Sequence, residues 1–150
     1  AAASAQTGID SHNVENIIGS QGNDTITLNP GANVVDGQGG ADTINTGAGS
    51  DTITGGAGND IMNGGSGNDT FIFATAFGDD TISGFDALAP GGQDRLFLDS
   101  SLGINAGNFA ASVTIAASGG GTLVSIGTES ILLLGVAAAN VDINDFQFGP

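Results

Sequence analysis

Acidic residues recur at fixed intervals through the first half of the chain. Asp24, Asp42 and Asp60 stand 18 residues apart; Asp51 and Asp69 repeat that interval half a period out of phase, and Asn33 occupies the place where this second series would begin. Each has a glycine two residues before it (Gly22, Gly31, Gly40, Gly49, Gly58, Gly67) and a large apolar side chain two residues after it (Ile26, Val35, Ile44, Ile53, Met62, Phe71). The donors this spacing can bring together are carboxylate oxygens and turn carbonyls, with no histidine or thiolate among them. An all-oxygen, somewhat flexible cage favours Ca²⁺ over Mg²⁺, which keeps its waters, and over Zn²⁺, which prefers nitrogen and sulfur. Carboxylates at equal intervals suit columns of ions better than an acid and a base held in unlike environments.

The rest of the composition removes other chemistries. The chain has 150 residues, 16 of them acidic against the single basic Arg95, for a formal charge of −15. Nucleic acid and anionic membranes need Lys and Arg to neutralise phosphates, so neither is expected as a partner. Without cysteine there is no disulfide framework and no thiolate metal site. His12 is the only histidine, which leaves no material for an HExxH zinc site or a His-based triad. The Gly-x-Gly strings lack the third glycine of a dinucleotide loop, no EF-hand pattern occurs, and no enzyme is expected within these residues. The "NDT" sequons at Asn23 and Asn68 fall in turns and read as chance. The opening "AAASAQT" has neither a basic n-region nor an apolar h-region, so the expectation is a soluble module cut from a longer protein. The run Ile131 to Leu134 is far short of the roughly 20 apolar residues that span a bilayer.

The elements that must position the carboxylates follow from a nine-residue period. From Gly19 the blocks are GSQGNDTIT, LNPGANVVD, GQGGADTIN, TGAGSDTIT, GGAGNDIMN and GGSGNDTFI. Positions seven to nine are β-branched and apolar, suited to a very short strand with its middle side chain inward. Positions one to six are glycine, small residues and Asn or Asp, suited to a turn with positive φ. Two blocks make one coil, and stacked coils place strands side by side at about 4.8 Å. The same stacking aligns the position-six residues in two columns, Asp24–Asp42–Asp60 and Asn33–Asp51–Asp69. Unit charges about 4.8 Å apart repel by roughly 3 kcal/mol at an effective dielectric of 20, so bare columns should oppose the fold. A dication between successive turns reverses that term.

The blocks resemble the RTX nonapeptide, GGxGxDxUx, a calcium-binding repeat of proteins exported by type I secretion. The resemblance implies an all-β fold: a right-handed parallel β-roll followed by an antiparallel β cap. It also implies ions between turns two blocks apart, each held by two position-six side chains and four turn carbonyls. On this sequence those gaps are Asp24–Asp42, Asp42–Asp60, Asn33–Asp51 and Asp51–Asp69. The glycines whose carbonyls can turn toward the ions are Gly22, Gly37, Gly39, Gly40, Gly47, Gly49, Gly55, Gly56, Gly58, Gly64, Gly65 and Gly67. The Asn33 gap lacks one carboxylate and its block opens Leu-Asn-Pro, so it should be the weakest. Upstream, "DSHNVENII" (10–18) reads as a degenerate block with Glu15 at position six. Downstream, "TAFGDDTIS" (75–83) restores the motif after a two-residue slip, which offers Asp80 as a further ligand opposite Asp60 in a geometry the sequence leaves open.

After Gly84 the period gives way to ordinary β patterning: "DRLFLD" (94–99), "SVTIAA" (112–117), "TLVSIG" (122–127) and "SILLLGV" (130–136), with "SGGG" as a hairpin loop and "VDINDFQF" as a turn and last strand. This order resembles the segment that follows the repeats in serralysin-type proteases. The expected organisation is a tail and degenerate coil over 1–18, the β-roll over 19–84, and over 85–150 a β cap that could also hold a secretion-related tail. Asp86, Asp94 and Asp99 are either a further ion site or surface carboxylates. The resemblance implies a secreted or cell-surface module with Ca²⁺ and type I secretion machinery as partners. The alternative is calcium-dependent attachment to a polysaccharide or cell surface, as in epimerase R-modules, S-layers and adhesins.

Overall fold

The computed structural model describes residues 16–87 and 93–150, together with the backbone of 5–7. Its strands are β1 (Ala5–Thr7), β2 (Asn16–Ile18), β3 (Thr25–Thr27), β4 (Val34–Asp36), β5 (Thr43–Asn45), β6 (Thr52–Thr54), β7 (Ile61–Asn63), β8 (Thr70–Phe73), β9 (Asp79–Ser83), β10 (Arg95–Leu98), β11 (Val113–Ser118), β12 (Gly121–Ile126), β13 (Glu129–Leu134) and β14 (Phe146–Phe148). Strands β3 to β7 coincide with positions seven to nine of their blocks. A three-residue strand can turn only its middle side chain inward. Those residues, Ile17, Ile26, Val35, Ile44, Ile53 and Met62, are all buried, and in the four-residue β8 both Phe71 and Phe73 are.

Successive strands of the roll alternate between two sheets, ordered β1-β3-β5-β7-β9-β13-β12-β11 and β14-β10-β8-β6-β4-β2. Every roll strand lies parallel to the one two further along. The inward residues therefore form ladders: Ile26, Ile44, Met62 and Ile82 on one sheet, and Ile17, Val35, Ile53, Phe71, Leu96 and Phe146 on the other. This is a parallel β-roll with a core one side chain thick on each sheet. The two-residue slip after Phe73 is taken up in a turn where Ala76 adopts φ 66°. Phe73 and Phe77 pack edge to face at 5.1 Å across that turn, and the ladder resumes with Met62 opposite Ile82.

The four strand segments expected in the C-terminal half are present, and so is the last strand. Their polarity refines the expectation. Only β11, β12 and β13 form an antiparallel unit, while β13 joins β9 in parallel and β10 and β14 extend the other sheet in parallel. The cap thus grows out of both sheets, and its antiparallel hairpins sit on one side. A one-turn helix, Phe109–Ser112, and several 3-10 turns close the remaining end, with Phe109 packed on Phe146 at 4.7 Å. The sequence pattern did not announce these, because single turns carry no apolar period. Among the described residues no helix is long and apolar enough to cross a membrane.

Coil stacking is so close that one glycine position has no tolerance. Gly67 has φ 131°, and a Cβ built there falls on the carbonyl oxygen of Gly49 in the coil before it. Backbone meets backbone, so no rotamer change relieves the clash. Gly67→Ala is expected to destabilise the folded chain by about 3 kcal/mol or more. Gly103→Ala, at φ 67° with nothing within 4 Å of its Cβ, is expected to cost about 1 kcal/mol. Thermal unfolding of the two variants checks the order; a smaller loss at Gly67 would contradict the stacking.

Candidate metal sites

The position-six residues line up in the two columns that the 18-residue spacing requires. In each pair, the backbone N–H of the earlier residue donates to Oδ1 of the later one: Asp24 to Asp42 (2.8 Å), Asp42 to Asp60 (2.8 Å), Asn33 to Asp51 (2.7 Å) and Asp51 to Asp69 (2.9 Å). All six side chains are 1–2% exposed. The second oxygens differ from the first: Oδ2 of Asp42, Asp51, Asp60 and Asp69 is buried and has no hydrogen-bond partner.

Buried carboxylate oxygens without partners are costly, because they lose hydration and receive nothing in return. Burial accordingly raises the carboxyl of Asp42 to about 6, with the charges of Asp60 and Asp24 adding to it and the N–H of Asp24 opposing it. Asp69 rises to about 6 for the same reason, with Asp94 and Asp51 as the neighbouring charges. Asp60 is also raised by burial, against the opposing hydrogen bond from Asp42.

The turns leave room beside these oxygens only because of glycine. A Cβ at Gly37, Gly55 or Gly64, the first residue of its block, would strike Oδ2 of Asp42, Asp60 or Asp69 respectively. At position four, a Cβ on Gly40, Gly49, Gly58 or Gly67 would strike the backbone of the equivalent glycine one coil earlier, Gly22, Gly31, Gly40 or Gly49. Gly56 and Gly65 stand in the same way against the carbonyls of Gln38 and Gly47. Gly39 pairs with Ala57 in an isolated parallel bridge, and Gly47 has looser surroundings, its nearest contact being the Leu28 carbonyl at 3.5 Å. Among the described residues no three acidic, histidine or cysteine side chains converge. Any cation here must therefore draw on two position-six side chains and backbone carbonyls, and an all-oxygen set of that kind fits Ca²⁺.

Asn33 shows what replaces a carboxylate. Its Nδ2 donates to the carbonyls of Asn29 (3.2 Å), Gly31 (3.0 Å) and Thr46 (3.4 Å). The amide thus satisfies carbonyls of two turns, and calcium would have to displace it. Asn33→Asp removes that competitor and adds a charge beside Asp51. It is expected to lower the calcium concentration at the folding midpoint several-fold; a higher midpoint, read by circular dichroism, would contradict the reading.

Beyond the nonapeptides, Asp80 and Asp94 take the next places in the columns. Asp60 N–H donates to Asp80 Oδ1 and Asp69 N–H to Asp94 Oδ1, both at 2.8 Å. The slip therefore leaves Asp80 in line. Asp94 immediately precedes the apolar alternation of β10 as Asp69 precedes that of β8, a signal the sequence contains. Asp86 meets Asp94 through its backbone. Asp99 does not join them: it caps the turn Ser100–Leu102 by accepting from Ser101 N–H, which lowers its carboxyl below the usual value. Asp145 Oδ1 is also buried and unpartnered, outside the columns, where its other oxygen accepts from Asp142 N–H in a capping box. Glu15 and His12 lie outside the described residues.

Stacked two-block coils, glycine turns and facing acidic columns define a calcium-binding β-roll. Residues 14–44 and 36–71 match the family model of the RTX calcium-binding nonapeptide repeat, so the segment 14–71 is an array of RTX repeats. No curated protein sequence matches the chain. Among solved structures it is similar to the AlgE6R2 subunit of the mannuronan C5-epimerase from Azotobacter vinelandii, with TM-score 0.62 and 28% identity over 88% of this chain and 91% of that one. The AlgE6R3 subunit from the same organism is also similar, with TM-score 0.55 and 28% identity over 93% of this chain and 80% of that one.

Proposed function

We propose that this chain is a calcium-folded module of an exported bacterial protein, unfolded where calcium is scarce and folded by calcium outside the cell. The observation that carries the reading is the set of buried, unpartnered Oδ2 atoms on Asp42, Asp51, Asp60 and Asp69. The ions would lie in the gaps Asp24–Asp42, Asp42–Asp60, Asn33–Asp51 and Asp51–Asp69, with turn carbonyls completing each cage. Bound Ca²⁺ neutralises the facing carboxylates and stabilises only the stacked coils, so folding follows calcium by mass action. The type I secretion machinery would handle the chain before that step. Of the four gaps named, Asp51 borders two and Asp24 one. Asp51→Asn should therefore move the calcium midpoint further than Asp24→Asn, and equal midpoints would sink the column scheme.

Similarity to two subunits of a mannuronan C5-epimerase favours a second reading, in which the module accompanies an enzyme acting on an acidic polysaccharide. Arg95 offers a polyanion little by itself, since its guanidinium already donates to the Asn144 carbonyl (2.7 Å) and Gln93 (3.3 Å). Contact with a polyuronate would then need calcium as a bridge. Retention of the chain on immobilised polymannuronate in calcium and its release by chelator would support this reading; passage through the column in both would exclude it.

A further inference from the structure

Asn63 is the only asparagine of the chain that a glycine follows. Such a pair carries its own chemistry. The backbone nitrogen of the glycine attacks the side-chain amide carbon of the asparagine, closes a cyclic succinimide and expels ammonia. Water then opens the ring at either carbonyl. The product is aspartate or its isoaspartyl isomer, in which the main chain runs through the former side chain and is longer by a methylene. Glycine favours the attack because no Cβ hinders the approach of its nitrogen. The other asparagines precede a residue with a side chain or, at Asn29, the ring of Pro30, which has no N–H to lose.

The folded roll holds the pair in a geometry that opposes this reaction. Asn63 ends β7, with its backbone extended and in register with Asn45 on one side and Ser83 on the other. Ring closure needs rotation about its Cα–C bond, which would swing the carbonyls of both residues. Thr46 resists that rotation: its N–H donates to the Asn63 carbonyl at 3.1 Å, and its Oγ1 donates to the Gly64 carbonyl at 3.1 Å. Thr46 is fully buried, so water does not compete for either bond. Gly64 is buried too, and the Asp69 carboxylate closes over it, where a Cβ would strike Oδ2. Asn63 Oδ1 in turn packs against the Gly84 turn, 3.1 Å from where a Cβ on that glycine would stand.

We propose that Asn63–Gly64 is a self-modification site guarded by the roll: the unfolded chain converts it through the succinimide, and coil stacking stops the conversion. The guarded state is the calcium-folded one, so the proposal rests on the reading above and adds to it a limit on how long the chain survives unfolded. The isoaspartyl product is the harmful one. A methylene added between β7 and Gly64 carries the Gly64 carbonyl away from Thr46 and shifts the turn that presents Asp69, a member of the second column. Plain aspartate keeps the backbone and adds only a charge, between Asn45 and Ser83.

The test incubates the wild-type chain in calcium, in chelator, and in calcium with enough urea to unfold it, and follows conversion at Asn63 by peptide mass spectrometry. Conversion is expected to be at least about tenfold faster in urea than in calcium alone, because the folded chain reacts only through local opening. Asn45, at the same block position but followed by Thr46, should stay unconverted throughout. Thr46→Val, which removes the hydroxyl bond to Gly64, should speed conversion several-fold in calcium and leave the rate in urea unchanged. The isoaspartyl fraction should need several-fold more calcium to refold than Asn63→Asp does. Equal rates in urea and in calcium, or no conversion in urea, would overturn the proposal. A rate in chelator as low as in calcium, beside fast conversion in urea, would count against the calcium switch and leave the guard standing, since the roll would then fold without its ions. If Thr46→Val fails to fold, the wild-type rates still decide.

Discussion

Transfer from millimolar calcium into excess chelator is expected to unfold the chain, replacing its far-UV β spectrum by that of a disordered coil, with recovery when calcium returns. The reason lies in how little each coil has to set against its charges. A block buries one inward side chain, such as Ile44 or Ile53, for about 1.5–3 kcal/mol. Two carboxylates at the stacking distance repel by roughly 3 kcal/mol, which cancels that gain, and the bare oxygens of Asp42, Asp51, Asp60 and Asp69 add their lost hydration. Total domain stabilities are only about 5–15 kcal/mol, so several such gaps decide the outcome. With calcium at about 100 times its dissociation constant, each site would restore about 2.7 kcal/mol. Because adjacent gaps share a carboxylate, as at Asp42 and Asp51, the return should be steep in calcium. An unchanged spectrum in excess chelator would refute the switch.

The parts legible in the sequence are those where one residue type answers to one constraint. Glycine at position four and an apolar residue at position eight recur because a carbonyl one coil away forbids a Cβ and because a three-residue strand has one inward side chain. These gave the strands, their sheets and the columns directly. Asp94 carries a weaker signal, since 25 residues separate it from Asp69 and only the alternation of β10 after it marks its position. The parallel entry of β10 and β14 into the sheet could not be read from alternation, which is the same for a strand of either direction. Asn33 reads in the sequence as a missing charge, but the three carbonyls its amide satisfies come from two turns, and one of them, Thr46, lies 13 residues on. Contacts between turns that meet only through coil stacking have no local pattern.

Without calcium, stability is expected to fall as pH rises through neutrality. Burial lifts Asp42 and Asp69 to about 6 and Asp80 to about 8, and it raises Asp60 and Asp94 as well, from an ordinary value near 3.8. The folded chain therefore holds protons that the unfolded chain has released between roughly pH 4 and 8, so the number bound in the unfolded state minus the folded is negative and stability decreases with pH there. Its contribution is complete below about pH 4, the unfolded range, and is lost by the time pH passes the folded values. Protonation does for the columns, weakly, what calcium does strongly: it removes the facing charges. In excess chelator, circular dichroism should thus show more β structure at pH 5 than at pH 8. With calcium present the order reverses, because the ion needs ionised carboxylates and must displace those protons. The calcium midpoint should rise as pH drops from 8 to 6, by up to about tenfold per pH unit for each proton displaced. A metal-free chain that gains structure between pH 5 and 8 would show that the columns are neither buried nor facing one another as described.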